Sequence, residues 1–390
     1  MIALNGRGTV TATTDVGTAF VSLALGVAQH RPDCLHSYWG PDEWLEAIAS
    51  HPPSLAALRD EAVSVATAVQ NSNLPQNRLD RLQRQTRALL WLVRAQLGER
   101  VIFSEQVRLL LDVQPESVDS AAITAAQEAL AAALPGAGDL TERWATWQET
   151  YTKELATILP QIEHAFTYLR QPWPQSRPPA VTVSAHLQDV VFRPGELLLP
   201  SHLPVRVDRL LHHVARWYAT SAFIAATVRR YEAGETEAAL WLNTGPHQVL
   251  ATGLPAAILP ASGLYQAMIP ALLQAAGLPA SPSATLRAIH TAEDALAWVD
   301  ANVALMRHGE GLRPRVLRRY LMSQKLVDAA TAERQLEDLA DPVRAAHRFA
   351  PLIGRPLVAT WLARNQTPPA ALLEDPPIPS TMLFAIRFGD

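Results

Sequence analysis

The sequence predicts a mainly α-helical protein, and three observations carry that expectation. Apolar residues recur at the three- and four-residue spacing of a helix face, as in Phe20, Leu23 and Val27, and in Leu82, Leu89, Leu90, Val93 and Leu97. Helix start signals precede several of these runs. One segment alone, near residues 181–199, reads as β structure.

Taken in order, the first helical run spans Phe20 to His30 and a second covers Leu82 to Leu97, with a break at Pro52 and Pro53 between them. Ser120 stands before an Ala-rich run from Ala121 to Ala133, which Pro135 and Gly136 close. A loop is expected from Pro172 to Pro179. Val181 to Leu187, Val190 to Phe192 and Glu196 to Leu199 flank Arg193, Pro194 and Gly195 in the manner of a small hairpin. The longest helix is expected from Pro204, in its first turn, to about Tyr231. Val207, Leu211, Val214, Tyr218, Ser221, Ile224 and Val228 make one face of it. The other face gathers Arg206, Arg209, His213, Arg216, Thr220 and Thr227. Further on, Thr291 and Asp294 are spaced as a capping box, Asp341 and Pro342 mark another helix start, and Pro376 and Pro377 a late break.

The chain is read as one helical unit over residues 1–390, the alternative being two lobes, 1–172 and 173–390. Hydrophobic residues make up 48% and charged residues 18%, enough for a sizeable core. A net charge of −4 supplies no field that would gather nucleic acid or an anionic membrane, so neither is an expected partner. The single cysteine, Cys34, excludes an intrachain disulfide framework and a multi-cysteine zinc site. The N-terminus lacks a basic segment followed by an apolar run, and the expected location is the cytoplasm. No charged residue falls between Glu237 and Arg287, but Pro246, Pro255, Pro260, Pro270 and Pro279 interrupt that stretch, which reads as short buried helices rather than a membrane span.

The usual catalytic patterns are missing. There is no His-Glu-x-x-His, no Gly-x-Ser-x-Gly elbow, no Walker loop and no Gly-x-Gly-x-x-Gly after a strand; Gly6, Arg7 and Gly8 form only a weak echo of the last. His212 and His213 point about 100° apart on a helix and do not readily share a metal. Asp208 and His212, four apart, suit an ordinary carboxylate–imidazole pair. Cys34 lies between His30 and His36, where an inert buried thiol is the expected state.

Several segments in a fixed order resemble a bacterial family of unknown function that is itself similar to helical zincin metallopeptidases of the carboxypeptidase Taq type. They are FVSLALGVAQH from Phe20, SYWGP from Ser37, GERVIFSEQV from Gly98, LPGAGDL from Leu134, LPVRVDRLL from Leu203, LATGL from Leu250 and DPVRAAHRF from Asp341, followed by Gly354. In members that look active, the helix after the Leu-Pro-Val segment carries His-Glu-Gly-Tyr-Pro-Gly-His-His, which supplies metal ligands and a general base. Here the same stretch is RWYATSAF. The resemblance thus places the first histidine on Arg216, the glutamate on Trp217 and the later histidines on Ala222 and Phe223, and a further family glutamate on Thr252. Zinc needs nitrogen, oxygen or sulfur donors at about 2 Å, and arginine, alanine and phenylalanine provide none. Trp217 cannot act as a base toward a metal-bound water.

The resemblance therefore implies a zincin-like helical shell with a degenerate motif: no metal, no cofactor and no inherited peptidase activity. The expected role is binding or regulation, with a candidate cleft formed by Arg206, Arg209, His213, Arg216, Thr220 and His247, and a small anion or acidic peptide as ligand. Two alternatives stand beside it. One is an enzyme with a rebuilt site drawing on His213, His247, Tyr218 or Arg216; the other is a structural subunit using the 238–286 region as an interface. Internal pairing of the arginines, with Asp189 or Glu196 for example, is the competing reading of the cationic stripe.

Overall fold

The structure, a computed structural model, describes residues 15–169, 178–261 and 264–388. The stretch holding Gly6, Arg7 and Gly8, and the loop expected between Pro172 and residue 177, lie outside them.

Helices dominate, as the periodicity predicts. The first half contains α1 (Val16–His30), α2 (Asp42–Ser50), α3 (Leu55–Gln70), α4 (Gln76–Gln96), α5 (Phe103–Leu111), α6 (Ser120–Ala133), α7 (Leu140–Tyr151) and α8 (Leu159–Leu169). The second half contains α9 (Leu210–Glu232), α10 (His247–Ala261), α11 (Leu264–Ala275), α12 (Ser283–Leu296), α13 (Trp298–His308), α14 (Pro314–Lys325), α15 (Ala329–Asp338), α16 (Pro342–His347), α17 (Phe349–Asn365), α18 (Ala371–Glu374) and α19 (Pro379–Phe388). No described helix is long and apolar enough to cross a membrane. The chargeless 238–286 stretch folds largely into α10 and α11, with Pro270 inside the latter.

Capping chemistry explains many boundaries. Asp15, Ser54, Asp119, Asp139, Asp328 and Asp341 each accept a backbone N–H from the first turn that follows, satisfying donors that the helix cannot. The cap of α6 is therefore Asp119, one residue before the expected Ser120. The Asp341–Pro342 start is found as read. Thr291 does not begin a helix: it lies inside α12, and Asp294 spends its carboxylate on arginines instead.

The hairpin near 181–199 is present and extended. Strands β4 (Val191–Arg193) and β5 (Glu196–Pro200) turn at Pro194 and Gly195, whose φ of +74° suits glycine. A third strand, β3 (Ala180–Ser184), runs parallel to β5, giving the order β3-β5-β4. Two further pairings were not anticipated: β1 (Leu35–Tyr38) with β7 (Leu240–Leu242), and β2 (Thr152–Glu154) with β6 (Pro204–Arg206), both antiparallel.

The second pairing corrects the start of the long helix. Pro204 is not in a first turn but sits in β6 opposite Glu154, and Val207–Arg209 forms a 3-10 turn before α9 begins at Leu210. Proline is tolerated there because it stands at the end of a short strand, where one missing N–H costs little. From Leu210 onward α9 runs unbroken through Thr220 and Ser221, the positions matching the Pro-Gly of the family motif.

The core wraps around α9, whose Leu211, Val214, Tyr218 and Ile224 are buried. Phe20, Leu23 and Val27 of α1 are likewise buried, as are Leu82, Leu89 and Val93 of α4, whereas Leu97 ends in solvent. α10 packs against α9 on one side and α17 on the other. The α10–α17 crossing is made by two glycines. A methyl group on Gly253 would lie 2.3 Å from the Gly354 carbonyl oxygen, and one on Gly354 only 2.1 Å from that of Val249.

Candidate functional site

Helical geometry places His213, Arg216, Thr220, Phe223, Thr227 and Arg230 within about 60° of one line along α9. That stripe has different surroundings at each end.

At its N-terminal end, the arginines expected to line a cleft are tied into a polar network. Asp208 is fully buried and accepts from Arg206 (Nη2 to Oδ2, 2.6 Å), from Trp147 Nε1 (3.1 Å) and from His290 Nε2 (3.1 Å). Arg206 also meets Glu293 at 2.7 Å and lies over the Trp144 ring, while Arg209 joins Glu293 at 2.9 Å to Asp294 at 2.5 Å. Arg355 closes the far side on Asp294. Arg206, Arg209 and Arg355 thus face Asp208, Glu293 and Asp294, and formal charge cancels. Internal pairing is what the structure shows for Arg206 and Arg209, but with these carboxylates; Glu196 pairs instead with Arg193 at 3.7 Å.

Burial opposes ionisation of Asp208, yet hydrogen bonds from His290 and Arg206 outweigh it and hold the carboxyl well below its usual range. Burial lowers the His290 imidazole against the pull of Asp208. The expected partnership of Asp208 with His212 is replaced: Asp208 takes His290, and the ring of His212 lies edge-on to His290 at 5.8 Å. His213 turns the other way, toward Trp217 at 6.2 Å.

Arg216 differs from its neighbours. Its side chain reaches solvent, and among the described residues no carboxylate lies within 4.0 Å of its guanidinium. Surrounding protein nonetheless lowers its pKa, through loss of solvation first and the nearby Arg348 second. Arg216 is thus an exposed guanidinium with a cationic neighbour and no close carboxylate among the described residues. Arg348 itself is paired loosely with Asp338, at 3.6 Å. Thr220, half-buried, follows one turn later.

Most of the positions that the resemblance aligned with the motif hold packing or backbone-bonded side chains. Trp217, Ala222 and Phe223 belong to the hydrophobic core, and Thr252 Oγ1 donates to the Gln248 carbonyl at 2.6 Å. Among the described residues, no three His, Cys, Asp or Glu side chains converge as metal ligands would. Cys34 is buried, which pushes its thiol up to about 12, far from the thiolate needed for nucleophilic work.

His247 does not join His213. It sits beyond the C-terminal half of the stripe, edge-on to Trp241 at 4.6 Å, and Trp241 is 6.0 Å from Phe223. His213 and Phe223 are themselves separated by about 15 Å along α9. Both ring nitrogens of His247 are occupied: Nε2 donates to the Leu242 carbonyl at 2.7 Å and Nδ1 accepts from Gln85 at 3.3 Å. A cavity of about 50 Å³ lies beside it, lined by Leu82, Phe223, Leu240 and Trp241 together with Arg81, Arg230, Glu235 and Glu237. The sequence reading overlooked both arginines; Arg230 was detectable as the next polar position on the stripe after Thr227.

Three histidines make an acid-sensitive set. Burial is the leading cause that lowers His213, His247 and His347 from 6.5 to about 4. Below pH 6.5 the unfolded chain takes up protons that these folded sites refuse, so stability rises with pH through this window and is fully present above it. Each fully shifted histidine contributes up to ~1.4 kcal/mol per pH unit. Thermal unfolding should show a Tm that is flat above pH 7 and falls progressively between pH 6.5 and 4. A flat profile across that window would contradict the buried neutral assignments.

No family model matches the chain, and no curated protein matches it by sequence. Among solved structures it is similar to that of a candidate lipoprotein of unknown function from Shewanella oneidensis, at 9% identity and a TM-score of 0.46, over 96% of this chain and 82% of that one. Likeness at that level settles neither family nor function. What the coordinates define is a mainly helical protein with small two- and three-stranded sheets.

Proposed function

We propose that the protein is a non-catalytic binding protein whose cleft over the first half of α9 takes an anion, a small carboxylate or phosphate or the acidic side chain of a partner peptide. One observation carries the reading: Arg216 is the stripe cation that no described carboxylate neutralises, while Arg206 and Arg209 on the same helix approach are fully paired. A guanidinium without a carboxylate partner can take an oxyanion, because its planar fork makes paired, charge-assisted hydrogen bonds with one. Core packing of Trp217, Ala222 and Phe223 supports the non-catalytic part, since these positions present no metal donor or base.

Calorimetric titration of phosphate, citrate and an acidic peptide into wild-type protein and Arg216→Ala tests the reading. Binding should be at least tenfold weaker in the variant, a loss of ~1.4 kcal/mol. Equal binding in both proteins, or none in either, would refute it, as would one equivalent of zinc per chain with peptide hydrolysis lost on chelation.

A further inference from the structure

The C-terminal end of α9 borders a cleft of about 380 Å³ that also meets the start of α4 and the segment after α18. That volume falls within the ~300–1,000 Å³ of small-molecule pockets. Among the described residues, Pro75 is the one apolar residue lining it, and the others carry charges or amides. Its lining guanidiniums, Arg78, Arg81 and Arg230, are matched by the carboxylates Glu235, Glu374 and Asp375, so formal charge cancels. A lone anion or a lone cation would upset that balance, whereas a dipolar ion leaves it intact.

Most of these charges are already committed. Arg78 donates to Glu237 through two hydrogen bonds, at 2.6 and 2.8 Å. Asp375 accepts from Arg81 at 2.6 Å and from Asn77 at 2.5 Å, and Glu374 meets Arg229 at 2.6 Å.

Arg230 and Glu235 are the exceptions. A guanidinium has five N–H donors. Among the described residues Arg230 engages one from each terminal nitrogen, and both acceptors are neutral: the Thr227 hydroxyl at 2.9 Å and the Leu373 carbonyl at 3.5 Å. Its Nε has no hydrogen-bond acceptor, and Glu235 Oε2 stands 3.7 Å from it. The same oxygen lies 3.5 Å from Arg81, while Glu235 Oε1 accepts no hydrogen bond among the described residues. Burial, with Arg81 next, pushes Arg230 down to about 10, so it keeps its charge at neutral pH.

We propose that this cleft binds a small dipolar ion, a free α-amino acid with a polar side chain, its carboxylate on Arg230 and its ammonium on Glu235. The carboxylate takes the terminal N–H groups of Arg230 that the protein leaves unused, and the ammonium donates to Glu235 Oε1. An α-amino acid carries its two charged groups on one carbon, and Arg230 and Glu235 stand as close as 3.7 Å, so the two pairs form side by side. Gln76 and Asn77 in the lining favour a polar side chain over an apolar one. The site lies about 21 Å from Arg216 along α9, and its test does not depend on the anion reading at that residue.

Titration of L-glutamine, monitored by calorimetry or ligand-observed NMR, tests the proposal. The comparison ligands are 4-carbamoylbutanoate, which is glutamine without its ammonium, and 4-aminobutanamide, which is glutamine without its carboxylate. Wild-type protein should bind glutamine saturably and each comparison ligand roughly tenfold more weakly or worse. Arg230→Gln and Glu235→Gln should each weaken glutamine by a similar factor. Glu235→Gln should leave 4-carbamoylbutanoate no weaker than in wild type, which separates loss of the ammonium contact from collapse of the cleft. Should Arg230→Gln fail to fold, the two titrations of Glu235→Gln still decide. No saturable binding of glutamine, a comparison ligand that binds as tightly, undiminished glutamine binding in Glu235→Gln, or equal weakening of glutamine and 4-carbamoylbutanoate in that variant would each overturn the assignment.

Discussion

Replacing Asp208 by alanine should destabilise the protein by ~3–5 kcal/mol, the range expected when one member of a buried ion pair is removed and its partners stay behind. The carboxylate is fully buried and accepts from three separate side chains, those of Arg206, Trp147 and His290. Its loss leaves the Arg206 guanidinium with Glu293 as its carboxylate partner, strands the Trp147 indole N–H in a dry environment and removes one hydrogen bond from the His290 imidazole. Asp208→Asn should fall between wild type and alanine, because the amide keeps the shape and some of the hydrogen bonding but not the charge. Urea denaturation followed by circular dichroism gives both values; a loss below ~1 kcal/mol for the alanine variant would place the network on the solvated surface, where ion pairs are worth that little.

Gly354→Ala should also be strongly unfavourable, by ~2 kcal/mol or more, although alanine elsewhere in a helix interior gains ~1 kcal/mol over glycine. The sign is reversed by the crossing of α10 and α17. The added methyl would stand 2.1 Å from the Val249 carbonyl oxygen, a backbone atom that no rotamer change can move aside. Gly253→Ala meets the Gly354 backbone at 2.3 Å and should behave alike. Either variant proving more stable than wild type in equilibrium denaturation would mean that the two helices do not approach this closely.

What could be read in the sequence and what could not divides along the range of the interactions involved. Local signals performed well. The helix faces of α1 and α4, the turn at Pro194 and Gly195 and the cap at Asp341 depend on residues within a few positions of each other, and they appear where periodicity and turn chemistry put them. Pro204 was misread because its strand exists only through pairing with Thr152–Glu154, far back in the chain. Thr291 and Asp294 have the spacing of a capping box, but helical propensity carries α12 through them and Asp294 answers to Arg209 and Arg355 instead. The same limit applies at the candidate site. The stripe on α9 was legible, since it follows from one helix alone, but whether each arginine on it is paired depends on Glu293 and Asp294, whose proximity no spacing announces. Arg81 and Asp375 lie 294 positions apart and could not be brought together by pattern at all.

The pairing of β1 with β7 also has a consequence for how the chain reaches this state. Leu35 to Tyr38 must meet Leu240 to Leu242, closing a loop of about two hundred residues for a ladder of three residue pairs. Loop-closure entropy grows only logarithmically with length, so the equilibrium penalty is modest. The kinetic requirement is heavier, because so short a ladder returns little until the helices between its strands have already condensed. It is therefore expected to close late, as a clasp on a preassembled helical body, and amide exchange pulse-labelling during refolding would show Leu35–Tyr38 protected after the helices. Truncation of the chain before Leu240 would leave β1 without its partner throughout synthesis, and an unpaired strand edge of that kind is where association with other chains begins.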